Sequence, residues 1–327
     1  SGEGLTYTSP LSHRNKFING SFDILQRGTS STSTGYLADR WYFGLSGGSA
    51  TCSRQEHSGS QANFSGSQYY LRLAVTSSSD YIGIRQRIED VRTLPEGQIT
   101  VSFWARGHVN ANLAVWMTQN FGSGGSTDVD IAQQVTPYLQ NDSTFRYYSL
   151  TFTVPSISGK TIGAGSFFQI SFGQGTNNSA SAWTLDISNI QVEVGSVATP
   201  FEHRSFGDTL MDCYRYYVKL YTNTSDFPFG YGYKYSGTAH AVSVPLPTRM
   251  RTTPTCTLAN LRIRGGNTGG VNNSETVTSV GGMTFSHGNF QSFTANTNVN
   301  SAAIGSSVML TNAVSNSTSY INFDAEL

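Results

Sequence analysis

The strongest constraint on this 327-residue chain is an alternation with a period of two that recurs along most of it. "YYLRLAV" sets Tyr69, Leu71, Leu73 and Val75 on one face. "ITVSFWA" does the same with Ile99, Val101 and Phe103, and "YSLTFTV" with Leu150, Phe152 and Val154. Side chains of a strand point alternately to its two faces, so each segment reads as a half-buried strand. Turns rich in Gly, Ser and Asn separate them with no helical pattern between, which predicts an antiparallel sandwich or jelly roll. "WTLDISNIQVEV" alternates through Trp183, Leu185 and Ile187, then resumes on even positions at Ile190, Val192 and Val194. That change of phase predicts a β-bulge near Ser188–Asn189.

One segment departs from the pattern. "SFGDTLMDCYRYYVKL" carries Leu210, Cys213, Tyr214 and Tyr217 at helical spacing, and Ser205-x-x-Asp208 resembles a capping box. A helix is expected at about 207–220, after which strands return in "HAVSVPLP", "CTLANLRI", "SSVMLTNA" and "SYINFDAEL". The expected organisation is a linker or tether over 1–15, a β-sandwich over 16–205, a connecting helix over 206–220 and a smaller all-β domain over 221–327. The length suffices for two cores. Because the chain opens Ser-Gly rather than Met, it is expected to be processed, tagged or part of something longer.

Charge is sparse. Lys+Arg and Asp+Glu number 20 each, and charged residues are 12% of the chain, about half the usual ~25%. Zero net charge without a basic run argues against nucleic acid, whose affinity rests on clustered Lys and Arg. No stretch approaches the roughly 18 apolar residues of a membrane-spanning helix, so no membrane insertion is expected. Cys52, Cys213 and Cys256 are odd in number and lack metal-ligand spacing, which reads as buried thiols made in a reducing compartment. Ser, Thr, Asn, Gly and many rings take the place of charge, a composition suited to neutral sugars.

No enzyme motif survives inspection. "SGKT" at 158–161 resembles the end of a phosphate loop, but Val154 stands where the loop needs glycine. "GAGSFF" and "GQGTNN" lack the third glycine of a dinucleotide fingerprint, and there is neither a G-x-S-x-G elbow nor H-E-x-x-H. The chain is therefore expected to bind without catalysing.

"NKFINGSFDILQRGTSSTSTGYLADRWYF" at 15–43 resembles the opening of a module found in tail fibres and other virion proteins of tailed bacteriophages. "LDISNIQVEVGSVATPFEHRSFGDTLMDCYRYY" at 185–217 resembles its close, and "DAEL" at the end of the chain also fits. The module is similar to carbohydrate-binding jelly rolls. The resemblance implies a β-sandwich, a place on a virion assembled in the bacterial host cytoplasm, a homotrimer, and contacts with other virion proteins and a host cell-surface glycan. It further implies that acids on the first and last strands, here Asp23 and Asp186, hold a structural calcium with backbone carbonyls, since calcium takes six to eight oxygens. The simpler alternative, favoured because only two ligands can be named, is that Asp23 hydrogen-bonds the following turn and Asp186 faces solvent. Asp39 and Arg40, in the Asp39-Arg40-Trp41 signature, are expected to pair.

For the glycan itself, Trp104 and Trp116 sit in the middle strands of the first domain, and Trp104 lies opposite the apolar Val101/Phe103 phase. Exposed rings stack on the apolar C–H surface of sugars, and Arg106, Gln119 and Asn120 would supply hydrogen bonds. A large ring is nevertheless more often core than ligand contact. "FPFGYGYKY" places Phe227, Phe229, Tyr231, Tyr233 and Tyr235 on one face, with Gly230 and Gly232 behind. Glycines there favour close packing, so core or trimer interface is the preferred reading, with Tyr233 and Tyr235 the part that reaches solvent as a glycan contact. The function expected is attachment of a phage to a host glycan. A structural decoration or spacer without glycan binding, and a glycan depolymerase, are the alternatives.

Overall fold

The computed structural model describes residues 13–58, 66–78, 81–107, 112–136, 139, 144–174, 182–224, 227–265, 274–287, 290–298, 303–312 and 318–327. The fold is all-β, and its contacts divide it into two compact units at a helix, between Thr209 and Leu210. The first unit holds β1 (Ser30–Ser31), β2 (Gly35–Tyr36), β3 (Tyr42–Leu45), β4 (Gly48–Glu56), β5 (Tyr69–Ser78), β6 (Ile82–Glu89), β7 (Gly97–Gly107), β8 (Leu113–Asn120), β9 (Val129–Val135), β10 (Arg146–Val154), β11 (Phe167–Gln174) and β12 (Trp183–Val194). They form two six-stranded antiparallel sheets, ordered β1-β4-β5-β12-β7-β10 and β2-β3-β6-β11-β8-β9. Alternation assigns the inner faces. Leu71, Leu73, Ile99, Val101, Phe103, Leu185 and Ile187 of the first sheet share one core with Ile84, Val115, Met117, Phe168, Ile170 and Phe172 of the second. Burying each large apolar side chain contributes about 1.5–3 kcal/mol.

The expected bulge is present. The pairing of β12 with β7 shifts between Ser188 and Gln191, and Asn189 has φ 51°. The opening segment of the chain lies against that irregularity. Lys16 N donates to Val192 O (2.9 Å), Ile190 N to Gly20 O (3.0 Å), and Asn15 Nδ2 to Ile190 O (3.1 Å). A Cβ on Gly20 would stand 2.2 Å from Ile190 O, so the close approach requires glycine. The tether expected through residue 15 therefore ends earlier: His13 N and Asn15 N both donate to the Glu202 carboxylate. The remainder of that expected tether, 1–12, lies outside the described residues.

Asp39, expected to pair with Arg40, accepts from the backbone and side-chain amides of Gln26 and lies 3.6 Å from Arg27. Arg40 is buried and donates to the carbonyl of Arg87. Both residues lie in the turn before β3, where Arg40 has φ 73°.

The helix α1 (Phe206–Tyr214) is shorter than expected. Ser205 caps it as the sequence implied, accepting from Asp208 N (3.1 Å) and donating to the Asp208 carboxylate (2.7 Å). The Tyr217 assigned to the helix instead begins β13 (Tyr217–Thr222), because six residues there pair in register with the last strand of the chain. The second unit continues with β14 (Pro228–Ser236), β15 (Ala239–Pro245), β16 (Thr255–Ala259), β17 (Leu261–Gly265), β18 (Ser274–His287), β19 (Phe290–Thr297), β20 (Ser307–Asn312) and β21 (Ser319–Asp324). β13, β21 and β16 form a three-stranded sheet, and β14-β15-β19-β18-β17-β20 close into a barrel.

The aromatic stripe does not fill that barrel. Only Phe229 is buried (3%), while Phe227, Tyr231, Tyr233 and Tyr235 are 44–62% exposed. A register shift between Pro228 and Gly230 separates Phe229 from the tyrosines and turns Gly230, Gly232 and Lys234 inward. A Cβ on Gly232 would lie 1.8 Å from Ala241 O, and one on Gly230 2.5 Å from Ser243 O. The glycines thus serve close packing, as expected, but on the side opposite the rings. Lys234 is wholly buried and pairs across the strands with His240, whose ring lies 3.6 Å from Glu275. All three cysteines are free; Cys52 and Cys213 are buried and Cys256 half-buried.

Candidate functional site on the outer face of the second sheet

The face of the second sheet turned away from the core is organised in cross-strand rows. Gly44, Gly83 and Gly173 stand opposite one another on β3, β6 and β11, and Gly173 faces Ala114 on β8. This row of small residues is a trough in which two rings lie. A Cβ on Gly44 would meet Tyr81 at 2.6 Å, and one on Gly173 would meet Trp116 at 3.0 Å. The two rings meet edge to face at 5.5 Å. Burial raises the Tyr81 phenol to about 12. Its hydroxyl is shielded and has no hydrogen-bond partner among the described residues.

The next row runs Tyr42, Arg85, Ser171, Trp116, and the one after it Arg87, Gln169, Thr118, Asp130. The Arg85 guanidinium stacks 4.3 Å over Tyr42. Arg87 Nε donates to Gln169, which donates to Ser171, and Thr118 donates to Asp130 (2.7 Å). These bonds hold polar ends in fixed positions between the rings.

Beside Trp116 the β8–β9 pairing shifts between Val115 and Met117, leaving one extra residue on β9. Bulges re-aim side chains and recur next to binding sites. Here the irregularity accompanies an open pocket of about 530 Å³ lined by Trp116, Met117, Thr118, Asp130, Ile131, Ala132 and Gln133. An apolar ring wall with hydroxyl, amide and carboxylate groups around it can hold a polyhydroxylated ring by stacking and hydrogen bonds.

The sequence-predicted glycan residues do not form one site. Trp116 and Asn120 are on this face, Asn120 donating to Asp128 and accepting from Gly122 N. Gln119 points the other way into the core, fully buried, and donates to Pro155 O. Trp104 lies on the first sheet, its parity as expected, with its ring tilted 59° to that of Tyr147 at a centroid distance of 5.6 Å. Arg106 is buried (6%) rather than presented to a ligand. Tyr233 and Tyr235 belong to the second unit.

Asp186 is not solvent-facing, because it is wholly buried on the outer side of β12. Arg72 and Arg106 each donate to it at 2.7 Å, and Arg106 also lies over Tyr70 and Phe145. Burial pushes its carboxyl up, but hydrogen bonds from the two guanidinium groups outweigh this and hold it below the usual range. Asp23 accepts from Ser21 Oγ at 2.5 Å. The donor set does not fit a calcium ion: Arg72 Nε donates to Asp186 Oδ1 and Arg106 Nε to Oδ2, and no group of three His, Cys, Asp or Glu side chains converges among the described residues.

Tyr42, Tyr81, Arg85, Gln169, Ser171 and Asp130 went unnoticed in the sequence. "IGIRQRIE" and "FFQISFG" did hold the signal, since Arg85, Gln169 and Ser171 occupy the phase opposite the buried isoleucines and phenylalanines. Which of those outward positions share a row depends on register between strands far apart in sequence.

No protein-family model matches the chain, nor does any curated protein. Among solved structures it is similar to the CBM22-1 xylan-binding domain from Paenibacillus barcinonensis Xyn10C, with 11% identity over 55% of this chain and 94% of that one, at a TM-score of 0.32. It is also similar to a cyclase from Fischerella sp. TAU, with 14% identity over 57% and 96% and a TM-score of 0.38. A third is the enzymatically active domain of bacteriophage CBA120 tailspike protein 4, with 15% identity over 55% of this chain and 21% of that one, at 0.32.

Proposed function

We propose that the outer face of the second sheet binds a glycan reversibly, and that the chain attaches a bacteriophage to its host through it. The observation that carries the binding is Trp116, set beside a pocket of about 530 Å³ and in one row with Ser171, Arg85 and Tyr42. Trp116 supplies the stacking surface, while Thr118, Asp130 and Gln133 supply hydrogen bonds at the pocket rim. The phage assignment is supported by the resemblance at 15–43 and 185–217, two motifs whose residues touch at Gly20 and Ile190. A millimolar site contributes only about −4 kcal/mol. Three copies in a homotrimer, and several fibres on a virion, would raise avidity by roughly 10²–10⁴. Binding is without bond cleavage.

The test is binding of labelled protein to host cells and a glycan array, wild type against Trp116→Ala. The variant should lose at least about tenfold in affinity, the equivalent of ~1.4 kcal/mol, while it remains folded by far-ultraviolet dichroism. It should also stop competing with phage adsorption. Unaltered binding by W116A, or release of reducing sugar from host polysaccharide, would sink the proposal.

A further inference from the structure

The barrel carries an aromatic surface of its own. Tyr231, Tyr233 and Tyr235 point outward from β14 and are 62%, 53% and 44% exposed. Outward side chains repeat about every 6.8 Å along a strand, which sets Tyr231 and Tyr233 in line, and Tyr235 extends the strip at the register shift between Lys234 and Ser236. Their cross-strand neighbours are small or hydroxylated. Tyr231 pairs with Ser243, which hydrogen-bonds Ser292 at 2.8 Å. Tyr233 pairs with Ala241, itself opposite Thr294, and the Tyr235 hydroxyl lies 3.3 Å from Thr294 Oγ1. The hydroxyls of Tyr231 and Tyr233 have no partner among the described residues. No outward position of β14, β15 or β19 is charged, and charge first returns at Arg264, beyond Met309 in the Tyr231 row.

These features select among ligands. An anionic ligand would need cations where the strip has none. A second copy of the same face would press phenols and serines together without charge pairs to fix a register. A pyranose chain satisfies both halves of the surface: its C–H patches cover the rings, and its hydroxyls meet the phenols, Ser243 and Ser292. We propose that Tyr231, Tyr233 and Tyr235 form a second glycan-binding site, which takes an extended neutral polysaccharide along β14 and acts independently of the Trp116 face.

Affinity electrophoresis of the full chain tests this, with gels containing xylan, mixed-linkage β-glucan, galactan or dextran, and polygalacturonate as the anionic control. At least one neutral polymer should retard the protein. Tyr231→Ala with Tyr233→Ala should weaken that retardation about tenfold or more, and should do so again when introduced into W116A. Y231F with Y233F, which keeps the rings, should stay within about threefold of wild type. Tyr231→Ser alone keeps the test open if the double variant melts early. Each of these would overturn the proposal: no tyrosine-dependent retardation by any neutral polymer, no effect of the tyrosine changes once Trp116 is replaced, or preference for polygalacturonate. Dissociation of an oligomer by the double alanine variant in sedimentation would assign the strip to contact between copies instead. Because the Trp116 and tyrosine variants are read separately, either site can fail without the other.

Discussion

Both units combine outward rings with glycines, yet with opposite results. On the sandwich, Gly44, Gly83 and Gly173 share the face of the rings, so Tyr81 and Trp116 lie down in a trough. On the barrel, Gly230 and Gly232 are on the side away from the tyrosines, so the neighbouring backbone closes in behind and the rings stand in solvent. A glycine beneath a ring makes a seat for it; a glycine behind it makes room for the next strand. The sandwich face is therefore braced and holds a pocket, whereas the barrel face is an open strip.

The sharpest way to break this comparison is Gly232→Ala. Its Cβ would fall 1.8 Å from a backbone oxygen, which cannot swing aside as a side chain can. The barrel should lose about 3 kcal/mol in denaturant unfolding, with the sandwich transition unmoved. A loss below about 1 kcal/mol would show that the barrel wall is looser than drawn.

Acid gives a smaller effect. Burial, aided by the Lys234 charge and opposed by Glu275, lowers the pKa of His240 below its ordinary value. The folded barrel thus holds His240 neutral, while the unfolded chain takes up a proton below about pH 6.5. Stability from this group is complete above that pH and falls as the pH drops, by at most about 1.4 kcal/mol per pH unit. His240→Gln should remove this dependence from the barrel transition, leaving the sandwich with its own from His57, which burial also lowers. An identical slope in the variant would reassign the barrel's acid response.

Gly44→Ala sharpens the sandwich side. The atom it meets at 2.6 Å belongs to the Tyr81 ring, which can tilt, so about 1 kcal/mol is expected. Tyrosine near-ultraviolet dichroism should change with it and glycan affinity should fall; an unchanged spectrum would mean that the trough does not seat the ring. Smallest of all, Tyr235→Phe removes one exposed hydroxyl contact with Thr294 and should move barrel stability by no more than about 0.5 kcal/mol in thermal unfolding.

Much of this architecture was legible in period-two alternation. The core phases of β5, β7, β10 and β12, the bulge beyond Ser188 and the Ser205 cap all follow from local pattern, because each depends on residues within one element. The limit of the helix at Tyr214 did not, because pairing of β13 with β21 outweighs helical spacing across a hundred residues. Asp186 was placed correctly in phase and wrongly in solvent, since its partners Arg72 and Arg106 come from β5 and β7.

By itself, then, the sequence determined an all-β chain with two cores, a neutral ring-rich composition and the parity on which Trp104 and Trp116 lie. Only the tertiary structure decided which outward residues are neighbours. Trp104 and Trp116 share a parity of exposure but belong to different sheets, while Tyr42, Arg85, Ser171 and Trp116 fall into one row. The reason is that side-chain direction is a property of one strand, whereas a site is a property of register among several.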